Sequence, residues 1–324
     1  MIRAIRMHAT GGPEVLRPER VELPQPGQGE VRLRHAAVAV NYVDVYHRTG
    51  LYPLPALPAV IGVEGAGTIE ALGPGVNDLS VGDRVAWAGP PVGGYAEVRN
   101  IAAERVLRLP PGVDERTAAS LLLRGITAHM LLTRVLPTRE GGTLLVHAAA
   151  GGLGLVLTQW AKRLGVTVIG TVGSAAKAEV AMAHGLDHAI LYRQDDFVAA
   201  VQDLTGGTGV AAAVDGIGGD TLRRTLDAVR PFGIVASVGQ AGGPIPPMDV
   251  ADLGPRRSLS LSRPSVFGYV ADLATYRAAG EAVLALVAEG LRAGPVTTLP
   301  LTEAATAHRM LEDRRTMGAL VLVP

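Results

Sequence analysis

The residues with the clearest chemical potential are Gly151, Gly152 and Gly154, in the segment TLLVHAAAGGLG. The apolar run 143–146 ahead of them predicts a buried strand, and the residues that follow have helical spacing. A strand, a glycine-rich turn and a helix allow backbone N–H groups to approach a pyrophosphate, whose charge lies at the helix N-terminus. We therefore predict that Gly151, Gly152 and Leu153 contact a dinucleotide.

This motif is not specific by itself. Compared with G-x-G-x-x-G, the chain has Ala149 in the first glycine place, Gly151 in the second and Gly154 in the third. Tight turns of small residues between a strand and a helix also serve packing alone, which is the alternative for this segment. The context favours the dinucleotide, because the apolar run 166–172 follows as a second strand.

The end of that second strand distinguishes between two cofactors. An NAD enzyme tends to place Asp or Glu about twenty residues after the first glycine, to hold the ribose 2′-hydroxyl. Here Gly173 and Ser174 stand at that point, and Lys177 follows on the next predicted helix. The sequence therefore predicts NADPH, whose 2′-phosphate would meet a cation and no carboxylate. The alternative for Lys177 is a solvated lysine on a helix surface.

The composition describes a soluble α/β protein. The chain has 324 residues, 48% of them hydrophobic and 19% charged, with 41 glycines and a formal net charge of +0. No basic run or aromatic-basic patch predicts a nucleic-acid partner, and no apolar stretch is long enough for a membrane span. The sequence has 0 cysteines, which excludes disulfides, thiolate zinc sites and cysteine nucleophiles. MIRAIRMHA is too charged for a signal peptide, so we expect a cytoplasmic protein.

The order of predicted elements indicates two domains. The first third is rich in strands and turns, whereas strands and helices alternate after residue 140. Six strands with crossover helices predict a doubly wound Rossmann sheet. A long helix is predicted over 115–136 with a break at Gly125, and the terminal strand 319–324 is expected to return to the β-rich domain.

Several motifs together resemble the zinc-free quinone oxidoreductases (zeta-crystallin type) of the medium-chain dehydrogenase/reductase superfamily. They are NYVDVYHRTGLY (41–52), GVEGAGTIEALGPGV (62–76), GDRVAW (82–87), GGYAE (93–97), LLLRGIT (121–127), HAAAGGLG (147–154), TVGSAAKAE (171–179) and RPS (263–265). The resemblance covers essentially the whole chain. It implies a GroES-like catalytic domain over 1–123 and 266–324, an NADPH-binding Rossmann domain over 124–265, and homodimers formed through the cofactor domains.

The same superfamily contains zinc alcohol dehydrogenases, and the comparison predicts a metal-free site. Their catalytic zinc takes a cysteine near the end of the first β segment and a histidine just before the glutamate of a glycine-rich strand. Here Asn41 stands near the first place and Val63 precedes Glu64. Because a zinc site needs three suitable protein ligands, we expect no metal, and a structural role for Glu64.

The resemblance also implies further cofactor contacts. Tyr192, at the end of the third predicted strand of the Rossmann domain, is expected at the adenosine phosphate. Val238 and Gly239 are expected beside the nicotinamide ribose, and Thr127 at the nicotinamide amide. Met130 replaces the tyrosine that the family has in the first helix of the cofactor domain, so a hydrogen bond to phosphate is lost there.

Reduction of a quinone needs positioning of the reactants and stabilisation of a developing phenolate oxygen. The candidate groups are the amide of Asn41, which is also a candidate cofactor contact, and the hydroxyls of Tyr46 and Tyr52. Core packing is the alternative for each tyrosine. Arg263 is a candidate for the active cleft, with a domain-linking role as the alternative. Asp44 is expected to accept hydrogen bonds that orient its loop or the nicotinamide ribose.

These observations predict an NADPH-dependent quinone reductase acting on a small molecule by hydride or single-electron transfer. One alternative is an NADPH-dependent reductase of the conjugated double bond in an enal or enone. The other is a non-catalytic NADPH-binding protein of the crystallin type. Fold and cofactor do not set the substrate pocket, so the sequence does not name the natural acceptor.

Overall fold

The structure is a computed structural model that describes residues 1–137 and 139–324. Within these residues the chain forms two compact units, one of residues 1–126 and 270–324 and the other of residues 127–269. The domain boundaries expected from the sequence, after residues 123 and 265, stay a prediction.

The elements are given in chain order. The strands are β1 (Ile2–Met7), β2 (Arg17–Val21), β3 (Glu30–Ala39), β4 (Ala59–Val60), β5 (Glu64–Leu72), β6 (Arg84–Ala88), β7 (Val98–Ala102), β8 (Leu107–Arg108), β9 (Thr143–Val146), β10 (Thr167–Val172), β11 (His188–Leu191), β12 (Val210–Asp215), β13 (Val229–Ser237), β14 (Ser260–Ser262), β15 (Val296–Pro300) and β16 (Ala319–Val323). The α-helices are α1 (Tyr42–Thr49), α2 (Glu115–Met130), α3 (Gly152–Arg163), α4 (Ala175–Met182), α5 (Phe197–Leu204), α6 (Gly219–Asp227), α7 (Val266–Tyr269), α8 (Leu273–Ala288) and α9 (Ala304–Glu312).

The first unit is β-rich. One sheet has the order β15-β16-β3-β5-β6-β8, with β7 paired to β3, and a second sheet has the order β2-β1-β4. In β3 the buried Val31 and Leu33 alternate with more exposed arginines, which is the period of a strand with one face on the core. The terminal strand β16 pairs with β3 and β15, so it lies in this unit, as the sequence predicts.

The second unit contains a parallel sheet with the order β11-β10-β9-β12-β13-β14. The chain winds outward from β9 in one direction, through β10 to β11, and then in the other from β12 to β14. The prediction of a doubly wound Rossmann sheet is confirmed. The switch between β9 and β12 leaves a crevice at the carboxyl ends of the strands, which is where ligands bind in open α/β sheets.

The expected break in the second helix at Gly125 is wrong. α2 runs through this residue without interruption and continues into a π-helical turn, Leu131–Val135. A Cβ atom at Gly125 would lie 2.5 Å from a methyl carbon of Val283 in α8. The glycine therefore serves close packing of two helices, which offsets its cost of about 1 kcal/mol relative to alanine.

In the part of the chain that the structure describes, no helix combines the length and the apolar character that a membrane crossing requires.

Candidate functional site

The glycine-rich turn joins β9 to α3 at the switch point of the parallel sheet. Gly151 is the N-cap of α3 and has no side chain with which to cap it, so the N–H groups of Gly152 and Leu153 can face a ligand. A Cβ atom at Gly154 would lie 2.5 Å from the carbonyl oxygen of Ala148. The helix therefore approaches the turn closely, and its N-terminus has the donors and the dipole that a pyrophosphate needs.

Four predicted phosphate contacts lie together at the ends of β10 and β11. Ser174 is the N-cap of α4, and its Oγ accepts a hydrogen bond from the Lys177 N–H at 3.4 Å. A Cβ atom at Gly173 would lie 3.2 Å from the Tyr192 hydroxyl, so the tyrosine lies against this glycine. The structure thus brings glycine backbone and two hydroxyls to one place, with Lys177 in the first turn of α4. This donor set fits a 2′-phosphate; the role of each residue stays a prediction.

Arg263 lies in the second unit, beside two predicted ribose contacts. Its Nη1 donates to Ser237 Oγ at 2.7 Å and to the Gly239 carbonyl at 3.3 Å. The Val238 N–H donates to the Asp215 carbonyl at 2.7 Å. Arg263 therefore ties down the loop after β13, which carries Val238 and Gly239. Its predicted catalytic role is untested by this geometry.

His147 is a residue of this region to which the sequence analysis assigned nothing. Its Nδ1 lies 2.9 Å from Thr171 Oγ1 and its Nε2 lies 2.9 Å from Thr225 Oγ1. Burial lowers the pKa of His147 to about 4, so the ring is neutral at physiological pH. The imidazole links the carboxyl ends of β9 and β10 to α6, and His147 directly precedes the glycine-rich turn in the sequence.

Thr127 and Met130 lie near the end of α2. Met130 is buried, so an apolar side chain packs where the family has a tyrosine. The predicted contact of Thr127 with the nicotinamide amide stays a prediction.

Asn41 in the first unit is held by a buried glutamate. Its Nδ2 donates to Glu64 Oε2 at 2.8 Å, and Glu64 Oε1 accepts from the Leu123 N–H at 2.6 Å. An amide NH2 group has two protons, so this bond leaves one of them for another acceptor. The structural role expected for Glu64 is thus orientation of the Asn41 amide between β3 and α1.

A second buried carboxyl, that of Asp44, faces the N-terminus of α1. Asp44 Oδ2 accepts from the Asn41 N–H at 2.8 Å and from the Tyr95 hydroxyl at 3.2 Å. Burial raises the pKa values of Asp44 and Glu64 to about 7 each, against the effect of nearby Arg124, which lowers both. Both groups can therefore hold or lose a proton near neutral pH.

The predicted catalytic tyrosines pack against each other. The rings of Tyr46 and Tyr52 are 5.1 Å apart and roughly perpendicular, and Tyr42 lies 5.6 Å from Tyr46. The Tyr52 N–H donates to the Tyr46 carbonyl at 3.1 Å, so the loop after α1 folds back over the helix. Tyr46 is buried and Tyr52 is half-buried. The two rings therefore pack against each other, as the alternative for these tyrosines expects. The catalytic role predicted for their hydroxyls stays a prediction.

Three residues of this region escaped the sequence analysis: Arg48, Tyr95 and His308. Tyr95 and His308 are buried and bond to each other at 2.9 Å, and Arg48 is buried beside them. No local pattern joins positions 48, 95 and 308, because each comes from a different part of the chain. The sequence offered one indication of this cluster: Arg48 follows Asp44 by four residues, which places both on one face of a helix.

The side chains offer little to a metal ion. Across residues 1–137 and 139–324, no group of three or more His, Cys, Asp or Glu residues is arranged to hold one. Asn41 and Val63 bring an amide and an aliphatic group to the places where zinc alcohol dehydrogenases have ligands, and neither is a good zinc ligand.

Comparison with known proteins finds relatives along the entire chain. Residues 27–111 match the alcohol dehydrogenase GroES-like domain, and residues 152–286 match the zinc-binding dehydrogenase model. A 2-haloacrylate reductase of Burkholderia is 41% identical, covering 100% of this chain and 99% of the relative. A quinone oxidoreductase of Pseudomonas aeruginosa is 41% identical, covering 100% of both. The crystal structure of Escherichia coli quinone oxidoreductase complexed with NADPH matches with a TM-score of 0.96 at 37% identity, covering 99% of this chain and 100% of that one.

Proposed function

The chain belongs to the quinone oxidoreductase family of the medium-chain dehydrogenase/reductase superfamily, and on this premise we propose that it reduces quinones with NADPH. The observation that carries the cofactor is the cluster of Gly173, Ser174, Lys177 and Tyr192 at the ends of β10 and β11. A 2′-phosphate there would meet a lysine and hydroxyl donors, where an NAD enzyme has a carboxylate.

The second unit binds and orients the cofactor. The N–H groups of Gly152 and Leu153 take the pyrophosphate at the N-terminus of α3. Gly151, whose N–H donates to the Ala148 carbonyl at 2.8 Å, lets the phosphate approach the turn closely. Val238 and Gly239, in a loop fixed by Arg263, contact the nicotinamide ribose, and Thr127 contacts the nicotinamide amide. When bound, NADPH supplies the hydride.

The first unit stabilises the charge that develops on the acceptor. The Asn41 amide, one proton of which is engaged by Glu64, turns its other proton toward the quinone oxygen. The hydroxyls of Tyr46 and Tyr52 are further donors to that oxygen, and Arg263 of the second unit adds positive charge. Asp44 fixes the Asn41 backbone and contacts the cofactor ribose.

We propose that this chemistry is metal-free. Hydrogen-bond donors are sufficient to stabilise the charge on a reduced quinone oxygen. The residues at the two zinc-ligand places are Asn41 and Val63. Because Glu64 bonds to the Asn41 amide, it orients a neutral donor.

A second candidate function is reduction of a conjugated carbon–carbon double bond. The observation that favours it is the 41% identity to a protein named 2-haloacrylate reductase. Hydride addition to such a bond leaves a carbanion that must take a proton at the α-carbon, so this function depends on a proton donor near the substrate. Tyr46 and Tyr52 are the candidate donors.

Initial rates of NADPH oxidation distinguish these functions. The full-length protein is assayed with 1,4-quinones, enones and 2-haloacrylate, with NADH in parallel and with a chelator control. We expect quinone-dependent oxidation of NADPH that the chelator does not change. A preference for NADH would overturn the cofactor assignment, and loss of activity with the chelator would overturn the metal-free proposal.

The variants Tyr46→Phe and Tyr52→Phe then assign the substrate class. Removal of a proton donor lowers enone turnover by about 10²–10⁴-fold, whereas quinone reduction, which depends on several donors, falls much less. Turnover of enones alone would transfer the function to double-bond reduction. Tight NADPH binding without turnover of any acceptor would support the non-catalytic alternative.

The organisation proposed with this function follows the family resemblance. We propose that residues 1–123 and 266–324 form the catalytic domain, that residues 124–265 form the cofactor domain, and that two copies associate through their cofactor domains in the cytoplasm. Light scattering of the purified protein gives the oligomeric state, and a monomer would contradict the dimer.

A further inference from the structure

A chain of buried polar side chains connects α9 to α1 within the first unit. Asp44 and Arg48 lie four residues apart on α1, and His308 and Glu312 lie four residues apart on α9, so each pair shares one helix face. Arg48 donates to Glu312 with two bonds of 2.8 and 2.6 Å. Tyr95 stands between His308 and Asp44, 2.9 Å from His308 Nε2 and 3.2 Å from Asp44 Oδ2. The side chains form one continuous path from the half-exposed Glu312 to Asp44.

Arg48 donates outward to Glu312 and inward to His308, and from Arg48 to Asp44 the donors all point the same way. A guanidinium only donates, so Arg48 Nη1, 3.4 Å from His308 Nδ1, makes that nitrogen an acceptor. A neutral imidazole then carries its proton on Nε2, which donates to the Tyr95 oxygen. The Tyr95 hydroxyl in turn donates to Asp44 Oδ2. The tautomer of His308 is thus inferred from its partners, and the path runs in one direction, toward the carboxyl.

This direction distinguishes the two oxygens of Asp44. Oδ2 accepts from the Asn41 N–H and from Tyr95, so a proton on Oδ2 would oppose two donors. Oδ1 is fully buried and has no hydrogen-bond partner among the residues that the structure describes. A proton taken up by Asp44 therefore resides on Oδ1.

We propose that Arg48, His308 and Tyr95 are positioning residues that orient Asp44 so that it supplies through Oδ1 the proton consumed when the acceptor is reduced. The inference rests on the proposed function, because reduction of a quinone to a hydroquinone takes one hydride, which carries both electrons, and one proton. The O–H bond of the Asp44 carboxyl breaks and an O–H bond forms on the reduced quinone. Because Asp44 is fully buried, its proton is replaced between turnovers by water that enters the site after the hydroquinone leaves.

The charged groups around the path are consistent with this role. Asp44 is faced by Tyr95 from the loop before β7, by Glu64 from β5, which raises its pKa, and by Arg124 from α2, which lowers it. Burial is the largest influence and raises the pKa of Asp44 to about 7, so the acid form is present at neutral pH.

His308 supports the same direction of donation. It is faced by Tyr95 and by Arg48, and burial lowers its pKa to about 3 with a further contribution from Arg48. The ring therefore stays neutral, as the path requires.

The test follows the protonation of Asp44 directly. Infrared difference spectra of the full-length protein, recorded against pH, contain the C=O stretch of a protonated carboxyl, and the variant Asp44→Asn assigns the band. Tyr95→Phe removes one hydrogen bond to the charged form, so we expect the midpoint of this band to rise by about 1 pH unit. In parallel, kcat/KM for a quinone falls as pH rises through the midpoint in the parent, and this limb moves to higher pH in Tyr95→Phe by the same amount.

Two substitutions of His308 separate positioning from packing. Leucine removes the acceptor and the donor, and we expect the midpoint to move upward, as in Tyr95→Phe. Glutamine retains one acceptor and one donor, so His308→Gln keeps the midpoint near that of the parent. Tyr276→Phe is the control for loss of a buried hydroxyl: Tyr276 lies in the same unit, donates to the Arg105 carbonyl and accepts from the Ala88 N–H, and it makes no hydrogen bond to Asp44, Tyr95 or His308.

The outcomes distinguish this inference from the proposed function. An upward shift of the infrared midpoint in Tyr95→Phe, together with a midpoint near that of the parent in His308→Gln, supports the positioning of Asp44. An unchanged midpoint in Tyr95→Phe overturns it even where activity falls. Because the spectra need no acceptor, a protein without quinone turnover but with the expected shifts would refute the proposed function and leave the orientation of Asp44 standing. A pH profile of kcat/KM that ignores the infrared midpoint would remove Asp44 as the proton source.

Discussion

The nucleotide region of the second unit and the buried carboxyl region of the first unit are built in opposite ways. The first consists of backbone groups and glycines within short segments, such as 151–154 and 173–177, at the ends of adjacent parallel strands. The second consists of side chains from separate parts of the chain, together with the backbone N–H of Leu123. The side chains are those of Asn41, Asp44, Glu64, Tyr95 and His308.

The two regions also hold charge differently. In the nucleotide region, N–H groups at helix ends remain for an anionic ligand. In the carboxyl region, burial disfavours the charged forms of Asp44 and Glu64, so their pKa values rise to about 7. The comparison shows that cofactor binding depends on where the backbone can approach a ligand. Proton chemistry depends instead on which side chains contact each other in the buried interior.

The strongest way to disrupt the nucleotide region is Gly154→Ala. Its Cβ atom would lie 2.5 Å from the Ala148 carbonyl oxygen, and backbone cannot move aside cheaply. We expect α3 to shift and NADPH to bind about 100-fold more weakly, about 2.7 kcal/mol, measured by fluorescence titration. The control is Gly254→Ala, whose Cβ atom would meet nothing within 4 Å. Equal NADPH affinities in the two variants would show that α3 need not approach the turn closely.

In the carboxyl region, Glu64→Gln sharpens the contrast through the pH dependence of stability. The pKa of Glu64 is higher in the folded chain, about 7, than its ordinary value of 4.5, so the folded state binds more protons between these values. The free energy of unfolding therefore falls as pH rises through this window. Between pH 5 and pH 8, this free energy should fall by about 2 kcal/mol less in the variant than in the parent. Urea unfolding at both pH values measures this.

Glu104→Gln is the control for that experiment, because Glu104 is exposed and its replacement leaves the pH slope unchanged. A slope that Glu64→Gln also left unchanged would mean that Glu64 does not hold a proton in the folded chain. The same variant should lower quinone turnover, since a glutamine NH2 group opposes the Asn41 Nδ2 donor.

Lys177→Ala gives the smallest of the three effects. We expect about tenfold weaker NADPH binding, about 1.4 kcal/mol, with NADH affinity unchanged. Lys162 is the other lysine of the sequence, and its Nζ pairs with Asp187 at 2.7 Å. Lys162→Ala thus removes the same charge without touching the predicted phosphate contacts. Similar losses of NADPH affinity in both variants would point to net charge rather than to a phosphate site.

Much of the fold was predictable because its signals are local. The strand β9 has the predicted bounds, 143–146, and the parallel sheet contains the six predicted strands within the residues that the structure describes. The prediction failed at Gly125, where a glycine that a helix normally disfavours is required by Val283, more than 150 residues away. A tertiary contact overrode an intrinsic preference there.

The candidate site divides along the same line. Gly173, Ser174 and Lys177 were recognisable because they follow one strand directly, and Tyr192 because it follows the neighbouring strand. Tyr95 and His308 carried no such signal, because they stand far apart in the sequence and nothing local distinguishes them from other tyrosines and histidines. The spacing of Arg48 from Asp44 suggests only a shared helix face.

The sequence by itself determined the dinucleotide turn, the absence of cysteine chemistry and the alternation that builds the parallel sheet. Each of these follows from residues within one strand–turn–helix segment or from composition. Only the tertiary structure decided that Glu64 orients the Asn41 amide and that His308 reaches Asp44 through Tyr95. The physical reason is that a hydrogen bond depends on distance and direction in space, and for residues 44, 95 and 308 these are set by how α1, α9 and the strands of the first unit pack together.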